Sequence, residues 1–206
     1  MAEVIVIDTC ILISNPLRTM LLDLGQRGML APAWSAVIGD EWRRNAGRLW
    51  SIGSEDMQAH WSMLQDQFPE ADQGDVNAWK AGLAHCDPKD WHVVAAARAA
   101  VHGAARAAVL AQGGDDAASA PTEVTIVTRN LKDFNRRELR RWGIGLSDPD
   151  SLLVRYWQRD REVMNALLRS LPERVRGPDK PLLALEDLLK RERLFRLNRL
   201  YMSQCP

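Results

Sequence analysis

The chain is poor in cysteine, with three residues in 206: Cys10, Cys86 and Cys205. An odd count without paired metal-type spacing excludes a disulfide framework and a zinc knuckle. There is no excess of either charge, because 27 Lys and Arg balance 27 Asp and Glu. That balance speaks against a polycationic nucleic-acid coat and against an acidic disordered tail. No apolar run reaches membrane-spanning length. The N-terminal run has no basic stretch before it and stops early at Asp8, so no signal peptide is expected. The sequence reads as a soluble cytoplasmic protein without a membrane partner, and it contains no internal repeat. What is present is ordinary for a globular chain: 46% hydrophobic and 26% charged residues, in a length that can bury a sizeable core.

Neutrality is a sum of two unlike parts. Residues 1–150 carry 15 basic and 20 acidic side chains, a net of −5. Residues 151–206 carry 12 basic and 7 acidic ones, a net of +5. Solvated helix faces account for such an imbalance. So does a cluster of converging acids in the first part.

Local pattern divides the chain in the same place. Residues 3–7, Glu-Val-Ile-Val-Ile, form a short apolar β-branched run that predicts a buried parallel strand. A helix is expected over 15–27 from Leu17, Met20, Leu21 and Leu24, ending at Gly28. Met29 to Ala33 predicts a second strand that Pro32 restricts to an edge or an end. Ser35 is a candidate N-cap for the helix carrying Val37, Ile38, Glu41 and Trp42. Further helices are expected over 55–68, closed by Pro69, and from Asp87 to about Leu110, where alanine dominates. Gln112 to Pro121 has loop composition. Thr122 to Val127 predicts a strand, Asn130 caps a helix running to about Trp142, and Gly143 to Ser147 predicts a last strand. Turn chemistry follows at Asp148-Pro149-Asp150. Alternating strands and helices imply a mostly parallel sheet of four to five strands in an α/β fold. Beyond residue 150 only helical spacing remains, interrupted by Pro172, Gly177, Pro178 and Pro181. The chain therefore reads as an α/β domain over 1–150 and a helical C-terminal extension over 151–206.

Ligands of open α/β sheets bind beyond the carboxyl ends of the strands. Asp8 directly follows the first strand, and Asn130 and Asp133 follow the strand ending near Thr128. Glu41 lies four residues after Val37, on the inward edge of its helix. Asp90 precedes Val93 and Val94 by three and four residues, again on the core side. Four carboxylates in one pocket repel one another and raise some of their pKa values. A divalent cation removes that penalty, and oxygen donors without Cys or His select Mg²⁺ or Mn²⁺. Such an ion supplies an activated water and neutralises a phosphodiester under attack. Each acid also has an ordinary reading. Asp8 suits a strand-end turn, and Asp90 suits a helix first turn. Asp133 suits a cap partnership with Asn130, and Glu41 a surface pair with Arg44 or Arg48.

The residues resemble the PIN-domain family, and within it the longer-chain branch of VapC-like toxins. The matching blocks are Val-Ile-Asp-Thr-Cys-Ile-Leu (6–12), Asn-Pro-Leu-Arg (15–18) and Trp-Ser-Ala-Val-Ile-Gly-Asp-Glu-Trp-Arg-Arg-Asn (34–45). They continue with Phe-Pro-Glu-Ala (68–71), Asp-Pro-Lys-Asp-Trp-His-Val-Val-Ala-Ala-Ala (87–97), Ile-Val-Thr-Arg-Asn-Leu-Lys-Asp-Phe (126–134) and Asp-Pro-Asp-Ser-Leu-Leu (148–153). The resemblance covers roughly residues 4–153, with the blocks in the family's order. It implies a three-layer α/β/α fold and a Mg²⁺- or Mn²⁺-dependent endoribonuclease, the toxin of a toxin–antitoxin pair. Carried over, Asp8, Asp90 and Asp133 bind the metal, and Glu41 completes the pocket and orients or deprotonates water. Thr128 and Asn130 belong to the late acidic motif, with Thr128 positioned for a metal-bound water, and Asp87 stands as an outer acid. RNA, a cognate antitoxin and a second copy of the chain are the implied partners. The long stretch through 112–121 departs from the family pattern, and the C-terminal helices match it only loosely.

A catalytically inert PIN-fold module holding RNA or protein is the alternative. A flap-type DNA nuclease is a third reading, for which the extra acids and helical insertions are missing. His92 beside Asp90 suits a general base but also a packed helix. The eight tryptophans are expected in the core rather than under bases, and Cys10 is expected to be a small buried hydrophobe. The run Lys-Arg-Glu-Arg (190–193), with Arg196 and Arg199, suits RNA phosphates, an acidic partner or solvent.

Overall fold

A computed structural model describes residues 2–111, 123–177 and 181–203. The expected loop over 112–121, the strand start at Thr122, and Pro178 and Cys205 lie outside the described residues.

Four strands, β1 (Glu3–Ile7), β2 (Leu30–Ala33), β3 (Val124–Val127) and β4 (Ile144–Ser147), form an all-parallel sheet in the order β2-β1-β3-β4. The β-branched runs take the centre. Ile5, Val6 and Ile7 of β1 and Val124, Ile126 and Val127 of β3 are fully buried. Strands covered on both faces need continuous apolar sequence, which these two have. Pro32 lies on the edge strand β2, where a missing N–H is tolerated.

The helices α1 (Thr9–Leu12) and α2 (Asn15–Gln26) follow β1, and α3 (Ala36–Trp50) and α4 (Ser54–Gln67) follow β2. The Ser35 hydroxyl accepts the Ile38 N–H at 3.4 Å, as expected of the α3 N-cap. The contact of α3 with α4 depends on Gly39. A Cβ there would stand 2.3 Å from the Trp61 ring. Trp34 and Trp42 close round the same indole, with ring centroids 5.5 and 5.7 Å away. Those three tryptophans and Trp157 are buried, so core packing accounts for them.

α5 (Trp91–Ala111) packs against the sheet, and α6 (Arg136–Arg141) bridges β3 and β4 in sequence. The arrangement is compatible with a three-layer α/β/α fold. Three local expectations are corrected. The helix expected from Asp87 begins as a 3₁₀ turn, Pro88–Asp90, and becomes α-helical at Trp91. Asn130 makes no side-chain cap; it precedes a 3₁₀ turn, Leu131–Asp133, and Asn135 caps α6 by accepting the Arg137 and Glu138 N–H groups. Asp148-Pro149 is not a free turn but a helix start, since Asp148 accepts the Ser151 N–H at 2.9 Å and Pro149 opens α7 (Pro149–Arg159).

The last helices are α8 (Arg161–Arg174), α9 (Leu185–Arg191) and α10 (Phe195–Met202). Pro172 does not break α8, which runs on to Arg174. A proline one turn from the end sacrifices a single backbone bond. Leu153, Trp157, Leu168, Leu189 and Leu197 join the same buried cluster as the sheet residues. Charged pairs fasten the outside: Arg174 to Asp23 at 2.8 Å and Arg155 to Glu3 at 2.8 Å. The compositional division at residue 150 falls inside α7. No described helix is long and apolar enough to cross a membrane.

Candidate acidic site

β1 and β3 are neighbours in parallel register, so their carboxyl ends lie side by side. This juxtaposes Asp8 and Thr128. The Thr128 hydroxyl donates to Asp8 Oδ2 at 2.5 Å, and the Cys10 thiol donates to the same oxygen at 3.1 Å. Both side chains are held tightly: Asp8 is 4% exposed and Thr128 fully buried. Thr128 in turn accepts the Asn130 N–H at 3.0 Å, so its hydroxyl is engaged as donor and acceptor. Burial, then the Asp8 charge, pushes the Cys10 thiol up to about 12. Cys10 therefore stays protonated and serves Asp8 as a donor, a role hidden in its reading as a small hydrophobe.

Asp90 closes the 3₁₀ turn ahead of α5 and is 8% exposed. Its Oδ2 is buried without a hydrogen-bond partner. Burial first, then the Asp8 charge, pushes its carboxyl up to about 6, with Asp133 and Asp87 adding repulsion and Lys89 opposing it. A buried carboxylate with no donor is costly, and neighbouring acids add to the cost.

The loops carrying Asp87 and Asp133 are stitched together. The Asp87 N–H donates to the Asp133 carbonyl at 2.8 Å. Upstream, the buried Glu138 carboxylate accepts the N–H groups of Ala84, His85 and Cys86 at 2.8–3.1 Å, fixing the approach to Asp87. Lys89 Nζ stands 3.3 Å from Asp87 Oδ2 and 3.4 Å from Asp133 Oδ2. It is the ammonium counter-ion of both acids. Lys89, led by its backbone N–H, holds Asp87 below the usual carboxylate range.

Glu41 reaches the edge from α3. It accepts the Thr9 hydroxyl at 3.0 Å, and His92 Nε2 lies 3.1 Å from the same oxygen. The two side chains meet as a close contact. His92, then the Thr9 hydroxyl, hold Glu41 below its usual range against its partial burial. The expected alternative pairing with Arg44 is a minor influence. His92 Nδ1 sits 2.9 Å from the Lys89 carbonyl, which only accepts, so that nitrogen carries a proton.

The seven residues singled out from sequence thus divide. Asp8, Asp90, Asp133 and Asp87 share one electrostatic neighbourhood at the carboxyl edge. Glu41 joins through Thr9 and His92, Thr128 is a positioning group for Asp8, and Asn130 is exposed with only its backbone engaged. Among the described residues, no three His, Cys, Asp or Glu side chains stand close enough to hold a metal ion. The roles of Lys89, Cys10 and Thr9 were not legible in the sequence, although Lys89 and Thr9 adjoin residues chosen from it and Cys10 lies two beyond Asp8. Comparison of the chain with family models, curated proteins and solved structures gives no match.

Proposed function

We propose that this chain is a Mg²⁺- or Mn²⁺-dependent endoribonuclease with a PIN-type acidic site. The observation that carries the proposal is Asp90: a buried carboxylate with an orphaned oxygen, raised by burial and by Asp8. The donor set fits a hard divalent ion, being all oxygen. The side-chain positions fit less closely: among the described residues no three such side chains stand together, and Asp133 Oδ2 lies 3.4 Å from Lys89 Nζ. Asp8, Asp90 and Asp133 would hold the ion once Asp133 exchanges its ammonium partner for it. When bound, the ion supplies a nucleophilic water and offsets phosphodiester charge.

The chain's own residues do the rest. Thr128 and Cys10 fix the Asp8 carboxylate. Glu41, aligned by Thr9, orients or deprotonates the attacking water. In-line attack by water leaves 5′-phosphate and 3′-hydroxyl ends. The toxin role, the antitoxin partner and a homodimer rest on the sequence resemblance alone.

The test is RNA cleavage with Mg²⁺ or Mn²⁺, repeated with Asp8→Asn and with chelator. Cleavage that persists undiminished in both controls overturns the reading. The inert binding module is favoured by one observation, the Lys89 ammonium already shared between Asp87 and Asp133. Protein that binds RNA without ever cutting it, at any divalent concentration, selects that alternative.

A further inference from the structure

A groove of about 1080 Å³ opens between the end of α3, α4 and the C-terminal helices, and among the described residues none of the acids at the carboxyl edge lines it. Its lining includes apolar side chains open to solvent, with Leu49 and Met63 each 67% exposed and Leu183 39% exposed. Soluble proteins rarely leave such side chains together without a partner. The volume lies just above the range of small-ligand pockets, about 300–1,000 Å³.

At its base stands Arg18. Nη1 donates to the Leu12 carbonyl at 2.6 Å and Nη2 to Asn15 Oδ1 at 2.8 Å. The guanidinium also lies 5.0 Å from the centre of the Trp50 ring and 5.9 Å from that of Trp42. Among the described residues no carboxylate pairs with it, and two of its five N–H donors are engaged. Burial alone pushes the group down to about 10. A cation held against two indoles without a counter-ion is completed by an incoming anion. Among the described residues Arg191, which lies 3.6 Å from Glu192, and Asp66 also line the groove.

The geometry points to a docking site for an amphipathic peptide segment of a partner protein, with an Asp or Glu seated on Arg18 and apolar side chains between Leu49, Met63 and Leu183. A nucleic acid fits less well. Its bases stack on exposed aromatic faces, whereas Trp42 is 1% exposed and the Trp50 ring already carries the Arg18 guanidinium at 5.0 Å. The inference is independent of what the acidic site does.

Selection of phage-displayed random dodecapeptides on the full chain tests it, followed by fluorescence anisotropy of the best synthetic peptide. The expected winners share an acid flanked by apolar residues. Leu49→Glu and Leu49→Lys change an exposed residue, so both variants should fold. The first should weaken binding at least tenfold, and the second by less than threefold. Arg18→Met, with folding checked by circular dichroism, should lose tenfold or more. No enrichment, winners without an acidic preference, or equal losses for Leu49→Glu and Leu49→Lys would overturn the proposal. So would displacement of the peptide by polyuridylate. Self-association in sedimentation that Leu49→Glu abolishes would assign the groove to a second copy instead.

Discussion

Thr128 and Asp8, 120 residues apart in sequence, share a 2.5 Å hydrogen bond that ties the carboxyl ends of the two central strands. The bond serves local stability as well as the site. Thr128→Val keeps the shape and removes the donor, leaving Asp8 the Cys10 thiol. The expected cost is about 1–3 kcal/mol in denaturant unfolding, with Thr128→Ser close to wild type.

Asp90→Asn should separate stability from activity. A carboxyl whose folded pKa is raised favours its protonated form. Its burden is absent below the ordinary value of 3.8 and complete above about 6. Neutral asparagine should therefore stabilise the metal-free protein at pH 7, by at most about 3 kcal/mol, and by much less at pH 3. RNA cleavage should fall at least about a hundredfold (roughly 2.7 kcal/mol) in the same variant. A variant less stable at pH 7 than at pH 3, relative to wild type, contradicts this account.

Protons should compete with the divalent ion. Mg²⁺ or Mn²⁺ binding to the folded state raises the melting temperature through linkage. That rise should shrink as pH falls through about 6, where Asp90 takes up its proton. Thermal melts with and without Mn²⁺ from pH 5 to 8 measure it, and a rise that is constant across that range contradicts it.

Lys89→Met removes the ammonium shared by Asp87 and Asp133. Calorimetric titration should then give tighter Mn²⁺ binding, by several-fold. Unchanged or weaker binding would mean that Asp133 does not join the ion.

Gly39→Ala probes the scaffold. The added methyl would meet the Trp61 ring at 2.3 Å, so α3 and α4 must part. A loss of about 1–3 kcal/mol is expected from overpacking, outweighing the better helix propensity of alanine.

Much of the frame was legible because its signals are local. β1 and β3 are unbroken β-branched runs, Pro32 marked an edge strand, and Ser35 proved to be a cap. The strand-end rule then picked out Asp8 and Asp133, and helical phase picked out Asp90. What stayed hidden depends on choices that spacing does not settle. Asn130 and Asn135 are equally suited to capping, and only the 3₁₀ turn between them decides for Asn135. Cys10 has the composition of a core residue, yet its thiol faces a carboxylate. Lys89 looks like a solvated charge until the 130–133 loop folds beside it. The basic run at 190–193 conceals Glu192, which is 9% exposed.

That glutamate changes what the end of the chain is. It accepts from Ser14 at 2.7 Å and from Arg129, so one residue of the tail grips both the α1–α2 connection and the loop that follows β3. Arg129 adjoins Thr128, the residue that holds Asp8. The C-terminal segment is thus a tether fastened to the carboxyl edge of the sheet, and any event that peels it away leaves the Arg129 guanidinium there without its carboxylate. A protease or a partner acting on the last helices would be felt at Asp8 without touching it.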